Sequence, residues 1–164
     1  MRPGITVILG IPGAGKSTYS KTLVPAPALD AVRINLDDLR LCFGTAHDEK
    51  IEPFVWELAL SMCDKAVARG YRVVLDESVT DPRDMRRIAE IARLRRTRLH
   101  GVYVMSPSYL CWKKREKCGF PRAAFERKFS EWEQNRDAIL AMCDTLEVRP
   151  GNKDMLREIS GTDF

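Results

Sequence analysis

Residues 10–18, "GIPGAGKST", follow directly on the apolar run "ITVIL" at 5–9. The run reads as a short buried strand and Lys16 to about Leu23 as a helix, with a glycine turn between them. Gly10, Gly15, Lys16 and Ser17 satisfy G-x-x-x-x-G-K-[ST] in the strand-to-helix setting where that pattern holds phosphate. Its glycines let successive backbone N–H groups turn inward around phosphate oxygens, at the positive end of the helix that follows. The expected nucleotide-binding residues are therefore Pro12, Gly13, Ala14, Gly15, Lys16, Ser17 and Thr18. Lys16 is expected to reach the β and γ phosphates, the Ser17 hydroxyl to ligate Mg²⁺, and Thr18 to bond the α phosphate.

Outward from this loop the chain alternates. "VPAP" (24–27) stops the first helix, because proline cannot continue it. "AVRIN" (31–35) reads as a second strand and "DDLRLCF" as a short helix with two acids in its first turn, complementing the helix dipole. Residues 52–69 place Phe54, Leu58, Met62 and Val67 near helical spacing before a stop at Gly70. "YRVVLD" (71–76) is a third strand. The helix 81–96 follows, with Asp81 as N-cap and Pro82 as its first residue. "LHGVYVM" (99–105) is a fourth strand, its glycine a local weakness. A helix capped by Ser106 or Ser108, a break at Gly119–Pro121, a long helix to about Met142, an edge strand "TLEV" (145–148) and a short C-terminal helix complete the pattern. Strands alternating with helices imply a parallel sheet covered on both faces.

At 164 residues and 45% apolar composition, one α/β domain spanning 1–164 is expected, without room for a second catalytic domain. No apolar stretch approaches the ~18 residues of a membrane span, and the short N-terminal run enters the glycine loop rather than a signal-peptide pattern. Five cysteines (42, 63, 111, 118 and 143) form no Cys-x-x-Cys pair, which fits buried reduced thiols in a cytoplasmic protein better than a zinc site. The net charge of +4 is unevenly spread: residues 83–128 carry 14 Lys/Arg against 4 Asp/Glu, while both flanks are net acidic. A block of that kind suits a polyanionic partner, or serves as a solvated helix face.

Phosphoryl transfer to a hydroxyl needs positioning, charge neutralisation and a carboxylate to take the acceptor's proton. "RINLDDLR" places Asp37, Asp38 and Arg40 past the C-terminal end of the second strand, the sheet edge where the phosphate loop lies. Asp37 and Arg40, at i and i+3, share a helix face that Asp38 leaves. Asp37 is thus the expected general base, with Arg40 its partner or a ligand of an acceptor phosphate. Asp76 ends the third strand, where it would approach Mg²⁺ through water or fix a neighbouring arginine; Glu77 is its substitute. The basic helix "CWKKREKCG" (111–119) is placed as a lid, approximately 109–122, with Arg115 chosen to span phosphate oxygens. "GNKD" (151–154) brings its aspartate one residue too early for a guanine-reading Asn-Lys-x-Asp. Trp112 and Trp132 are read as packing residues, and His47 and His100 receive no role.

These elements, in this order, resemble the kinase domain of the bacteriophage-type polynucleotide 5′-kinases. The resemblance rests on "GIPGAGKST", "INLDDLR", "VVLDESVTDP" and the lid-like "KKREKCGFP", and spans about residues 4–133. It implies a P-loop NTPase with an adenylate-kinase-like core, sheet order 2-3-1-4-5 with a small helical lid, that phosphorylates a nucleic-acid hydroxyl with ATP and Mg²⁺. It also implies Asp37 as base, Arg40 as acceptor-phosphate ligand, Lys16 and Ser17 as nucleotide ligands, Asp76 as the acid after the third strand, and Arg115 as the first lid arginine. Leu36 stands where the family often carries a basic residue, the turn "ESVTDP" is one residue longer, and Lys117 is the nearest substitute for a second lid arginine. No D-x-D-x-T phosphatase motif is present. Three readings stay open: a kinase of strand 5′ ends or of a hydroxymethylated base, DNA or RNA; a kinase of a nucleoside, sugar or antibiotic; and a module that only binds or hydrolyses ATP. The oligomeric state is equally open.

Overall fold

The computed structural model describes residues 4–25, 30–44 and 50–151. In chain order the elements are β1 (Gly4–Leu9), α1 (Lys16–Leu23), β2 (Ala31–Asn35), α2 (Leu36–Leu41), α3 (Glu52–Ala68) and β3 (Arg72–Asp76), followed by α4 (Pro82–Leu94), β4 (Arg98–Met105), α5 (Ser108–Glu116), α6 (Arg122–Leu140) and β5 (Thr145–Pro150). The expected C-terminal helix and His47 lie outside the described residues.

The five strands form one sheet in the order β2-β3-β1-β4-β5, every pairing parallel. This is the expected P-loop order 2-3-1-4-5. Ile5, Val7, Ile8 and Leu9 of β1 are all buried. Since successive strand residues point to opposite faces, a strand buried at consecutive positions has helices on both sides. Trp132, 1% exposed, carries α6 into that core, with its ring centroid 5.3 Å from that of Tyr103 on β4. Trp112 packs against Phe125. Both tryptophans are packing residues, as their positions suggested.

Local chemistry sets the element ends. Asp81 caps α4 by accepting from Arg83 N, with Pro82 in the first turn. The short helix after β2 starts one residue earlier than expected, at Leu36, because Asn35 Oδ1 takes the Asp38 N–H and caps it. Neither Ser106 nor Ser108 caps α5; Pro107 occupies the cap position without a side-chain bond. Gly101, a weakness on paper, makes room for a neighbour: a Cβ there would lie 2.6 Å from Cys143 Sγ. Cys63 and Cys111 are buried, whereas Cys42 and Cys118 are exposed, so the expectation of buried thiols holds for only part of the set. Among the described residues no helix is long and apolar enough to cross a membrane.

Register places the chemistry. Ile8 of β1 pairs with Asp76 of β3, and Asp76 with Asn35 of β2. The phosphate loop, Asp76 and the start of α2 therefore emerge at one edge of the sheet, its carboxyl edge.

Candidate functional site

The loop turns at Gly13 (φ 85°) and Gly15 (φ 103°), both in the left-handed region that glycine enters freely. A Cβ on Gly13 would lie 2.5 Å from the Cys111 carbonyl oxygen, and one on Gly15 2.5 Å from the Gly151 carbonyl oxygen. Helix α5 and the segment after β5 thus both rest against the loop backbone. Ala14 turns its methyl into the core and contributes only backbone to the loop. Lys16 is buried, and its Nζ donates to the Ile11 carbonyl at 2.9 Å. Burial lowers its pKa to about 8, against the opposing charges of Glu77 and Asp76. A triphosphate entering the loop would supply the counter-charge this ammonium lacks.

Asp76 is 1% exposed and engaged on both oxygens. Oδ1 accepts from Ser17 Oγ at 3.2 Å. Oδ2 accepts from Ser20 Oγ at 2.7 Å and from Arg33 Nη2 at 2.6 Å. Of its two expected tasks, the geometry displays the fixing of an arginine. Arg33 in turn pairs with Asp38 at 2.9 Å, which explains why Asp38 leaves the Asp37 face. The Ser17 hydroxyl and the near oxygen of Asp76 are a hard-oxygen pair beside the loop, a donor set that suits Mg²⁺ held chiefly by phosphates and water. They fit the ion, and its chemistry when bound would be to spread the charge of the phosphate oxygens.

Asp37 is solvent-exposed and Arg40 buried, joined at 2.6 Å across the expected i,i+3 step. Arg40 is the centre of a carboxylate cluster. Its Nε and Nη2 form a bidentate pair with Glu52 at 2.7 and 2.9 Å, and Nη1 also donates to Glu77 at 3.0 Å. Burial opposes the guanidinium charge, but the hydrogen bonds to Glu52 and the charges of Glu77, Glu52 and Asp37 outweigh it and drive the pKa upward. In this arrangement Arg40 is the partner of Asp37; four of its five donors are committed to carboxylates.

Helix α5, expected as a lid, lies against the loop at Gly13. Arg115 stacks on the Phe120 ring at 4.6 Å, and its Nε is buried without a hydrogen-bond partner among the described residues. Lys114 joins it in lining the cleft, but Lys117 does not. Arg127 of α6, which the sequence reading did not single out, lines the cleft instead. Thr80 fastens α6 across the site. It donates to Glu131 at 2.7 Å, accepts from Lys128 at 3.2 Å, and offers its carbonyl to Asn135 at 3.1 Å.

The phosphate loop, Asp76, Asp37, Arg40, Thr80 and the basic residues Lys114, Arg115, Arg127 and Lys128 border one cleft of about 650 Å³, within the usual range for small-ligand sites. The loop contributes Pro12, Gly13 and Gly15–Thr18 to its lining, and Asp37, Arg40, Glu52, Trp56, Glu77 and Asp84 line it as well. Burial, with the charge of Asp81 beside it, raises the pKa of Asp84. Glu52, Trp56 and Thr80 are further lining residues that no sequence motif announced.

The fold is similar to several solved structures. One is a chain of the Pnkp1/Rnl/Hen1 RNA repair complex, at TM-score 0.71 and 17% identity over 84% of this chain and 46% of that one. A second is Kti12 of Chaetomium thermophilum in complex with ADP-AlF3, at TM-score 0.68 and 15% identity over 94% of each chain. A third is the Deinococcus radiodurans tunicamycin resistance protein, at TM-score 0.61 and 16% identity over 97% and 94%. The chain spans less than half the length of the repair-complex chains it matches, 38% and 46%. At these identities the likeness is one of fold. No curated protein matches the sequence. With its phosphate loop, its sheet order and its cleft in place, the chain belongs to the AAA domain family AAA_33, which it matches over residues 5–139.

Proposed function

We propose that the chain is a kinase that transfers the γ phosphate of ATP to a hydroxyl on a nucleic acid, with Asp37 as general base. The observation that carries this reading is the cleft itself: Asp37 borders the same space as Lys16 and Ser17 of the phosphate loop. The acceptor oxygen forms a bond to the γ phosphorus as the bond from phosphorus to the β-bridging oxygen breaks; the hydroxyl proton passes to Asp37 and ADP departs. Lys16 and Arg115 neutralise charge that builds on the phosphate oxygens. Arg40, held by Glu52 and Glu77, fixes the Asp37 carboxylate toward the acceptor. Lys114, Arg127 and Lys128 add positive charge along the cleft, which supports an anionic acceptor.

A second reading has an observation of its own. Commitment of Arg40 to carboxylates, with Glu52, Glu77 and Asp84 beside Trp56, favours an uncharged or amine-bearing small acceptor on that wall. Incubation with γ-labelled ATP and a panel of 5′-OH DNA, 5′-OH RNA, hydroxymethylated duplex DNA and free nucleosides tests both. Label in a polynucleotide supports the first reading; label confined to small molecules supports the second. Nucleotide binding without label in any acceptor overturns the kinase assignment.

A further inference from the structure

The basic block 83–128 does not all face the cleft. Lys114, Arg115, Arg127 and Lys128 do, whereas Arg95, Arg96 and Arg98 line a different cavity of about 550 Å³ with Gly4, Thr6 and Arg72. Gly4 opens β1 and Leu9 ends it at the phosphate loop, so the cavity sits at the opposite, amino edge of the sheet. The two edges are about 20 Å apart, six residues of strand.

Three features show that these arginines exceed what the fold needs. Arg96 occupies the position after α4 at φ 51°, the one non-glycine residue with positive φ among those described. The same turn after α3 uses Gly70 at φ 86°, with matching bonds: Gly70 N to Val67 O and Tyr71 N to Ala66 O, against Arg96 N to Arg93 O and Thr97 N to Ala92 O. A guanidinium therefore stands where glycine would fit without strain. Second, Arg95 is satisfied by a bidentate pair with Asp64, while Arg96 and Arg98 are exposed and make no ion pair among the described residues. Third, Arg72 Nε is buried there without a partner among the described residues. Those backbone bonds already occupy carbonyls at both helix ends, so Arg96 and Arg98 are not needed as caps.

We infer that this amino-edge cavity is a second anion site, which binds the phosphodiester backbone of a polynucleotide through Arg96 and Arg98, without reading its bases. Guanidinium forks match phosphate oxygens, and two such residues, Arg96 in the turn after α4 and Arg98 at the first position of β4, can serve neighbouring phosphates. Among the described residues that line the cavity there is no Phe, Tyr or Trp, and the His100 ring is tied by Nδ1 to Thr145 Oγ1 at 2.8 Å, so no free platform for stacked bases is offered. The inference stands whichever acceptor the cleft phosphorylates.

The test uses the full chain without ATP: anisotropy of a labelled 30-nucleotide DNA strand, titrated at several salt concentrations, for the parent and for the double variant Arg96→Gly, Arg98→Ser. Loss of two phosphate contacts should weaken binding about tenfold at low salt and flatten the log–log salt slope by about 1.4. Because glycine takes the left-handed conformation freely, the variant's melting temperature should not fall. Binding of a fluorescent ATP analogue should be unchanged, which separates this site from the cleft. Unaltered affinity and slope would overturn the proposal. So would an equal loss of affinity for polyglutamate of the same charge, which would make the patch an acidic-protein surface.

Discussion

Replacing Lys16 by methionine should make the nucleotide-free protein more stable at pH 7 while destroying its ability to hold ATP. The ammonium is buried, with one bond to the Ile11 carbonyl, and its pKa falls from 10.5 to about 8 through burial. Below pH 8 both folded and unfolded chains carry this proton, and the folded state bears the charge at a cost. That fall in pKa corresponds to about 3 kcal/mol. Between pH 8 and 10.5 the unfolded state binds the extra proton, so that cost is relieved as pH rises. Methionine removes it at every pH and forfeits a hydrogen bond of about 1 kcal/mol. The variant should therefore exceed the parent by about 2 kcal/mol at pH 7, and the gap should close or reverse by pH 10. Urea unfolding of both proteins at the two pH values measures the difference, in which the other titrating groups cancel. A variant less stable than the parent at pH 7, or a gap that ignores pH, would refute the burial argument.

Three further outcomes follow from the packing. Gly13→Ala would bring a methyl to 2.5 Å from the Cys111 carbonyl at a φ of 85°, so ATP affinity should drop at least tenfold, with a stability loss of about 1–2 kcal/mol, read by calorimetry. Glu52→Gln strips the bidentate charge from buried Arg40; kcat should fall about tenfold with the KM for ATP unchanged, and urea denaturation should show a loss of about 1–3 kcal/mol. Trp132→Ala empties a site 1% exposed at the α6–sheet contact and should cost about 3–5 kcal/mol in the same assay.

The fold was legible because its signals are local. "ITVIL" before the glycine loop, "VVLD" before Asp81–Pro82, and Gly70 after a helical run each mark an element end within a few residues. The loop, Asp37–Arg40 and Asp76 were legible for the same reason. What escaped are partners brought together from afar: Glu52 reaches Arg40 from 12 positions away, Arg33 reaches Asp76 from 43, and Glu131 meets Thr80 from 51. No periodicity marks such pairs. Lys117 is the nearest substitute for a second lid arginine in the chain, yet Lys114 and, from the next helix, Arg127 and Lys128 are the cations that border the cleft beside Arg115. The charge block looked like one feature because sequence order hides that α4 runs from one sheet edge to the other.

The central claim is that Asp37 takes the proton of the hydroxyl that receives the phosphate. Transfer from γ-labelled ATP, measured for Asp37→Asn beside the parent on whichever acceptor of the panel becomes labelled, tests it most directly. Removing the base should cost about 10²–10⁴ in kcat, with ATP affinity kept within a few-fold. Turnover equal to the parent's would contradict the account.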